Sequence, residues 1–476
     1  MIKTTESTVR KPLAEAMAAY CQRQTLRLHM PGHKGKPPQA GLGSTWGQAW
    51  QQDLTEVPGL DQLSAPHGVI RESELLLAKL YRSKDAHFLV NGATVGLQAA
   101  IMASCHQGDK ILLPRNAHRS IWSGVALSGA TPVWLPVFQD ADHGVPLGVA
   151  TETVVQAVAE NPDAKAIVYT YPSYHGFCGD LKKMTRPAGE KGMFTIVDEA
   201  HGAHFAFTGW PDAAVDSGAA VVVQGWHKTM GSLTQTGVLL QNDHTYPVEQ
   251  YLAMLQSSSP SYLLMASLDE ARANWEAHRD ELAAVMLRRA GALRDGIAAL
   301  PNLGCYHASN IPWPVKDYDQ TRITLYSELG HSGWQLQELL DKAGLVVEMA
   351  DSGTVVLILT YADTEEEVEA MLAVLGQVAT ELETVPPRPA PFINFGNLPE
   401  VAMTPAEALQ KDMAWVSFDD AIGRVAAGLV VPYPPGIPVV GPGEVITESC
   451  IAGLEYLLEE GGMVQGVEAG KVPVII

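Results

Sequence analysis

"AVVVQGWHKTMGS", residues 220–232, carries an unbroken apolar run into a glutamine, a glycine, a tryptophan and a histidine, and then presents Lys228. A short continuous run of this kind reads as a strand covered on both faces, as in a parallel α/β sheet. Open α/β sheets bind their ligands just beyond the carboxyl ends of the strands. Lys228 therefore stands where a ligand would be met.

Working outward, "AHFLV", "KILLP", "TPVWLP", "AKAIVYT", "FTIVD" and "TGVLLQ" read as further strands, separated by longer stretches between residues 75 and 240. Together they predict an α/β large domain on a mainly parallel seven-stranded sheet. Two more strand ends carry chemistry. After "FLV", the residues "NGATVG" (91–96) turn tightly into a helix. The free N–H groups and dipole of that helix, with Ala93 and Thr94 at its start, suit a phosphate. After "TIV" stands Asp198. An amine, a carboxylate and a phosphate cradle at neighbouring strand ends are the requirement of pyridoxal 5′-phosphate. The lysine bonds the aldehyde, and the aspartate keeps the pyridine nitrogen protonated so that the ring draws in electrons. Taken singly, each has an ordinary explanation: a capped helix for the turn, a helix cap for Asp198, a solvated helix start for Lys228.

Three histidines belong with this set. His118, in "PRNAHRS", follows another strand end and would stack on the pyridine ring. His227 precedes Lys228, within reach of the phosphate or of a substrate carboxylate. His201 and His204, like His29 and His33, have an H-x-x-H spacing. Neither pair has the glutamate pattern of helical zinc sites, so no metal is expected.

Composition narrows the function further. A net charge of −21 opposes a nucleic-acid or anionic membrane surface and suits a cationic substrate better. Five scattered cysteines with no C-x-x-C pair predict reduced thiols and a cytoplasmic location. The charged start shows no signal peptide, and no window is apolar and long enough to span a membrane. Residues 1–70 read as an N-terminal segment and entrance loop, and 71–270 as the large domain. A long amphipathic helix opens a small α+β domain over 271–385. The proline-rich "TVPPRPAPFINFGNLP" (384–399) then leads into a C-terminal extension, 386–476. In the small domain, Glu348 and Asp351 are the carboxylates suited to read a distal ammonium or guanidinium, or else sit on a solvated turn.

The chain resembles the Orn/Lys/Arg decarboxylases of the fold-type-I pyridoxal-phosphate architecture, in their short form. The resemblance spans nearly the whole sequence: "LHMPGHKG" (28–35), "DLTEVPGLDQLSAPHGVI" (53–70), "FLVNGATVG" (88–96), "PRNAHRS" (114–120), "VDEAHGAH" (197–204), "QGWHKTM" (224–230), "SSSPSYLLMASLD" (257–269) and "VPYPPGIPVVGPGE" (431–444). It implies that Lys228 is the Schiff-base lysine, Asp198 the partner of the pyridine nitrogen, and His118 the stacking residue. Ala93 and Thr94 match the phosphate turn, His227 the histidine before the lysine, and His201 a contact to the cofactor. Ser258 matches a hydroxyl that reaches the phosphate from a neighbouring subunit, which implies a homodimer or higher homo-oligomer.

Three departures stand out. Gly225 and Trp226 replace the "ST" of the family's "QSTHK", predicting a changed phosphate grip or pocket volume. His67 replaces the glutamate of "HAPEG" in the loop thought to line the substrate entrance, and "NGAT" replaces "NGST". The implied reaction is decarboxylation of arginine, lysine or ornithine, in polyamine synthesis, acid resistance or a more specialised pathway. Lys228, His227 or His118 would return the proton to Cα. An aminotransferase, a lyase, an oxidase or a non-catalytic regulatory homologue on the same fold are the rival readings.

Overall fold

The computed structural model describes residues 9–23, 25–37, 46–388, 392–433 and 436–476. Residues 1–8, at the charged start, lie outside the described residues. So do Pro389, Ala390, Pro391, Pro434 and Pro435 of the two proline-rich motifs.

Seven strands form the main sheet: β1 (Asp85–Leu89), β2 (Lys110–Pro114), β3 (Thr131–Leu135), β4 (Ala166–Thr170), β5 (Phe194–Asp198), β6 (Val221–Gln224) and β7 (Gly237–Gln241). Their order across the sheet is β1-β7-β6-β5-β4-β2-β3. All run parallel except β7, which is antiparallel to both β1 and β6. Its sequence does not betray the reversal, because a strand buried on both faces is apolar throughout whichever way it runs. Alternate side chains enter two cores. Ile167, Val197 and Val222 pack on one face, while Val168, Ile196, Val221 and Val223 pack on the other.

Register aligns the functional edge. Thr170 pairs with Asp198, and Asp198 with Val223, so β4, β5 and β6 end level. The chain leaves β6 through Gly225 into a single helical turn, Trp226–Thr229, which carries Lys228.

A 37-residue helix, Tyr262–Ala298, bridges two bodies and kinks at His278. Its first half, with Tyr262, Met265 and Trp275, joins the large core. Its last turns, with Leu293 and Ile297, join the small one. The small body is an antiparallel sheet of β8 (Leu303–Cys305), β9 (Arg322–Ser327), β10 (Met349–Ala350) and β11 (Thr354–Ile358), in the order β8-β9-β11-β10. The C-terminal extension has its own apolar cluster around Val430, Val440, Leu454 and Val474. Among the described residues, no helix is long and apolar enough to cross a membrane.

Candidate active site

Beyond the carboxyl ends of β4, β5 and β6 lies a cleft of about 730 Å³. Lys228, Asp198, His118, His201, His227, Ala93, Thr94 and Glu348 all line it. All but Glu348 are gathered because they follow strand ends on one edge of the main sheet, while Glu348 comes from just ahead of β10 in the small one. The helix Gly92–Ser104 points its N-terminus at the cleft, with Ala93 and Thr94 in its first turn.

Lys228 is a strongly perturbed base. Burial lowers its amine to about 8, helped by the Arg322 charge and opposed by Asp198 and Glu348. Asp198 is pushed the other way, upward, by burial, while Lys228 and the Ala200 N–H hold it down. That N–H donates to its Oδ1 at 3.1 Å. Nζ of Lys228 lies 2.7 Å from Nε2 of His201.

Partners fix the protons of two histidines. The Ser120 N–H donates to Nδ1 of His118 at 3.2 Å, so the neutral ring carries its hydrogen on Nε2. Burial, with Lys228 and Arg119 nearby, holds His118 down to about 4 and hence neutral. Its Nε2 faces Gly436, where a Cβ would stand 3.0 Å away. His227 is the opposite case: Nδ1 donates to the Thr236 carbonyl at 2.7 Å, leaving Nε2 as an acceptor.

The remaining sequence-predicted residues divide. Asp351 does not line the cleft. It faces a neighbouring cavity of about 710 Å³ with His175, whose Nε2 it meets at 2.6 Å. His67 is exposed and outside the cleft, and its loop is held by Asp61, which accepts from the His67 and Gly68 N–H groups at 3.0 and 2.7 Å. Ser258 is exposed on its own chain and away from this chain's cleft. His201 and His204 diverge: His204 turns into the core to Asp319 at 3.1 Å, while His201 faces Lys228.

The expectation that Trp226 alters pocket volume is corrected. Its ring is fully buried against Tyr81 and donates to Gln224 Oε1 at 3.0 Å, beneath the cleft rather than in its wall. Gly225 has a steric reason. A Cβ there would lie 2.9 Å from the Ala200 carbonyl and 3.2 Å from Cδ of Lys228, so the bare backbone makes room for the lysine stem.

Sequence reasoning missed several contributors. Tyr174, following cis-Pro172, donates to Glu348 and sets its ring 4.6 Å from that of His201. Arg322, at the start of β9, is fully buried and donates to Nδ1 of His201 at 3.0 Å. Tyr433 and Ile437 of the C-terminal extension complete the wall. That extension is latched down by Arg115, whose Nη2 reaches the Val439 carbonyl at 2.8 Å and Glu444 at 3.1 Å. The guanidinium also lies over Trp122 and Trp134, 5.1 and 5.3 Å from the ring centroids. A lone arginine next to "NAH" gives no hint of this in sequence, because its partner lies far along the chain.

The cleft fits pyridoxal phosphate. Asn116 Oδ1 and Thr170 Oγ1 are buried cleft-lining atoms with no hydrogen-bond partner among the described residues. They lie beside a buried carboxylate, a depressed amine and a helix N-terminus, a donor and acceptor set that calls for a polar, phosphorylated ring.

Comparison with known proteins agrees with this geometry. The Orn/Lys/Arg decarboxylase major domain matches residues 11–312, and the C-terminal domain of the same family matches residues 392–465. The uncharacterized protein YaaO of Bacillus subtilis (strain 168) is 37% identical over 467 residues, covering 96% of each chain. An arginine decarboxylase of Halalkalibacterium halodurans is 33% identical over 467 residues, covering 96% of this chain and 95% of that one. The crystal structure of the Francisella novicida lysine decarboxylase LdcF shares the fold, with a TM-score of 0.84 at 19% identity over 99% of this chain and 82% of that one. With its buried lysine and aspartate at the sheet edge and two of the family's domains in order, the chain belongs to the Orn/Lys/Arg decarboxylase family and is an amino-acid decarboxylase of the pyridoxal-phosphate fold.

Proposed function

We propose that the substrate is a basic amino acid, with arginine the first choice over lysine and ornithine, converted to its amine and carbon dioxide. The observation that carries this reading is Glu348, a carboxylate in the wall of the cleft that holds Lys228. The Tyr174 hydroxyl occupies one of its oxygens, which leaves the other to accept from a guanidinium or ammonium. The relative named arginine decarboxylase, one-third identical over almost its whole length, supports arginine.

Pyridoxal phosphate, when bound, supplies the electron sink that lets the bond between Cα and the carboxylate break. The chain's residues do the rest. Ala93 and Thr94 sit at the helix start that would hold the phosphate, Asp198 would keep a proton on the ring nitrogen, and His118 would lie against the ring. Carbon dioxide leaves with the carboxylate carbon, and one proton must be delivered to Cα. Lys228, or His118 through its Nε2–H, would give it from the cleft wall; His227, with Nε2 unprotonated, would first have to take one up. Burial of these groups keeps water from competing for the proton.

Ser258, exposed in the loop ahead of the long helix, would serve the cleft of a second subunit, which would make the working unit a homodimer or larger. His67, on its exposed loop, would then sit near the entrance. A role in polyamine formation fits the amine product, and scattered free thiols fit a cytoplasmic location. An amino-acid panel scored for carbon dioxide, amine, ammonia and peroxide tests the reading. Amine and carbon dioxide in equal amounts from arginine are expected, whereas peroxide or ammonia without amine from every basic amino acid would overturn it.

A further inference from the structure

Arg322 lies outside every motif discussed above, yet its guanidinium is fully buried one residue behind the reactive lysine. Its backbone is pinned, with Arg294 Nη2 donating to its carbonyl at 2.6 Å and its own N–H donating to Asp319 at 3.1 Å. Its stem is pinned as well: a Cβ on Gly176 would stand 3.0 Å from Cβ of Arg322. The buried head is placed so that Nη2 donates to Nδ1 of His201 at 3.0 Å.

A guanidinium has only N–H groups to offer and keeps its charge inside proteins. Nδ1 of His201 must therefore present a lone pair, and a neutral ring then carries its hydrogen on Nε2. The groups facing this imidazole are Lys228, Arg322, His118 and His227, with the Tyr174 ring beside it. The cleft carboxylates Asp198 and Glu348 bond elsewhere, to the Ala200 N–H and the Tyr174 hydroxyl, so among the described residues no carboxylate accepts a second proton from the ring. Nε2 lies 2.7 Å from Nζ of Lys228. A hydrogen on Nε2 needs an acceptor, and only the uncharged amine is one; an ammonium group could not accept it.

We propose that Arg322 is a positioning residue that fixes His201 as its Nε2–H tautomer, so that the ring donates to Lys228, favours the uncharged form of the amine and holds it in place whenever it is not bonded to the cofactor. The opposite tautomer would turn a bare Nε2 toward Nζ and favour the ammonium form. Arg322 thus selects which protonation state of Lys228 the site supports. The inference rests on the reading of Lys228 as the cofactor-binding amine.

The test uses the full-length protein labelled with 15N-histidine, before and after cofactor addition, and reads the tautomer from long-range 1H–15N correlations. His201→Phe identifies the signal. In the unloaded wild type His201 is expected with Nδ1 bare and Nε2 protonated. In Arg322→Met the proton moves to Nδ1 in a substantial fraction, and cofactor capture at pH 7 slows about tenfold, equivalent to one pH unit in the amine. Arg322→Lys, which keeps a donor and a charge, restores the wild-type tautomer. A wild-type ring protonated on Nδ1, or an Arg322→Met protein with unchanged tautomer and capture rate, overturns the proposal. If Arg322→Met does not fold, the wild-type tautomer decides alone. Borohydride reduction followed by peptide mass analysis separates the premise. An adduct elsewhere than Lys228 sinks the reading of the site, whereas an adduct on Lys228 with the wrong tautomer sinks only the role of Arg322.

Discussion

Glu348 and Asp351, on either side of the two-residue strand β10, serve different cavities: Glu348 faces the cleft of Lys228, and Asp351 faces away toward His175. Asp351 is also tied down locally, accepting from the Gly353 and Thr354 N–H groups at 3.0 and 2.7 Å. Glu348→Gln removes a charge-assisted contact worth about 1.5–3 kcal/mol, so KM for arginine should rise roughly 10- to 100-fold, with kcat falling less. Asp351→Asn should leave KM within about threefold and lower thermal stability instead, since it weakens a buried charge-assisted bond. Equal effects of the two substitutions on KM would refute the assignment of Glu348.

The amine of Lys228 sets a pH window. With its folded value near 8, the uncharged fraction grows as pH rises through that point. Cofactor capture by the unloaded protein should speed up about fivefold from pH 7 to 8 and level off near pH 9. Stability carries the same signature. Between about 8 and 10.5 the unfolded lysine binds more protons than the folded one, so the unloaded protein should gain stability as pH rises across that range. A capture rate still climbing steeply above pH 10 would mean that the amine is not depressed.

Gly225 and Trp226 differ from the family pattern for reasons of packing. Gly225→Ser puts a side chain against the Ala200 carbonyl and the Lys228 stem, an overpacking cost of about 1–3 kcal/mol, and should weaken cofactor retention rather than improve it. Trp226→Ala should cost about 3–5 kcal/mol of stability while leaving the ranking of amino-acid substrates unchanged. A switch of substrate in the Trp226 variant would return this ring to the pocket wall.

Arg115 and Glu444 form a buried pair whose two sides come from the large domain and the extension. Arg115→Met leaves Glu444 buried without its partner, at a cost of about 3–5 kcal/mol, and loosens the segment that carries Ile437. Denaturant unfolding should show the loss, with the cleft opening before the main sheet melts. Burial raises Glu444 to about 7 against the pull of Arg115 and the Gly441 N–H. In the variant the arginine's share of that pull is gone, so the carboxyl should protonate at still higher pH. An Arg115→Met protein as stable as the wild type would show that the latch contributes nothing.

Much of this arrangement was legible in the sequence because it is local. Apolar runs ending in Asp198 or Lys228, and the glycine-rich turn before Val95, announce both the strands and what stands at their ends. The direction of β7 was not legible, since burial on both faces erases the alternation that would mark an antiparallel strand. Glu348 and Asp351 looked equivalent because spacing alone does not say which face of a two-residue strand each occupies. Arg322, Tyr174 and Arg115 act through partners distant in the chain, and single-sequence reading has no term for such pairs. Trp226 misled for a related reason: its neighbour Lys228 is in the cleft, and only the one-turn helix after Gly225 separates their directions.

Tyr433 and Ile437 close a cleft whose other walls come from much earlier in the chain. Domains fold in order of synthesis, so the large sheet with Lys228 can form while the last segment is still being made. Until that segment docks on Arg115, the reactive amine faces water through a missing wall. The enzyme therefore acquires its shielded chamber only after its final stretch has been translated, and a chain that stops early carries the reactive lysine without the enclosure that disciplines it.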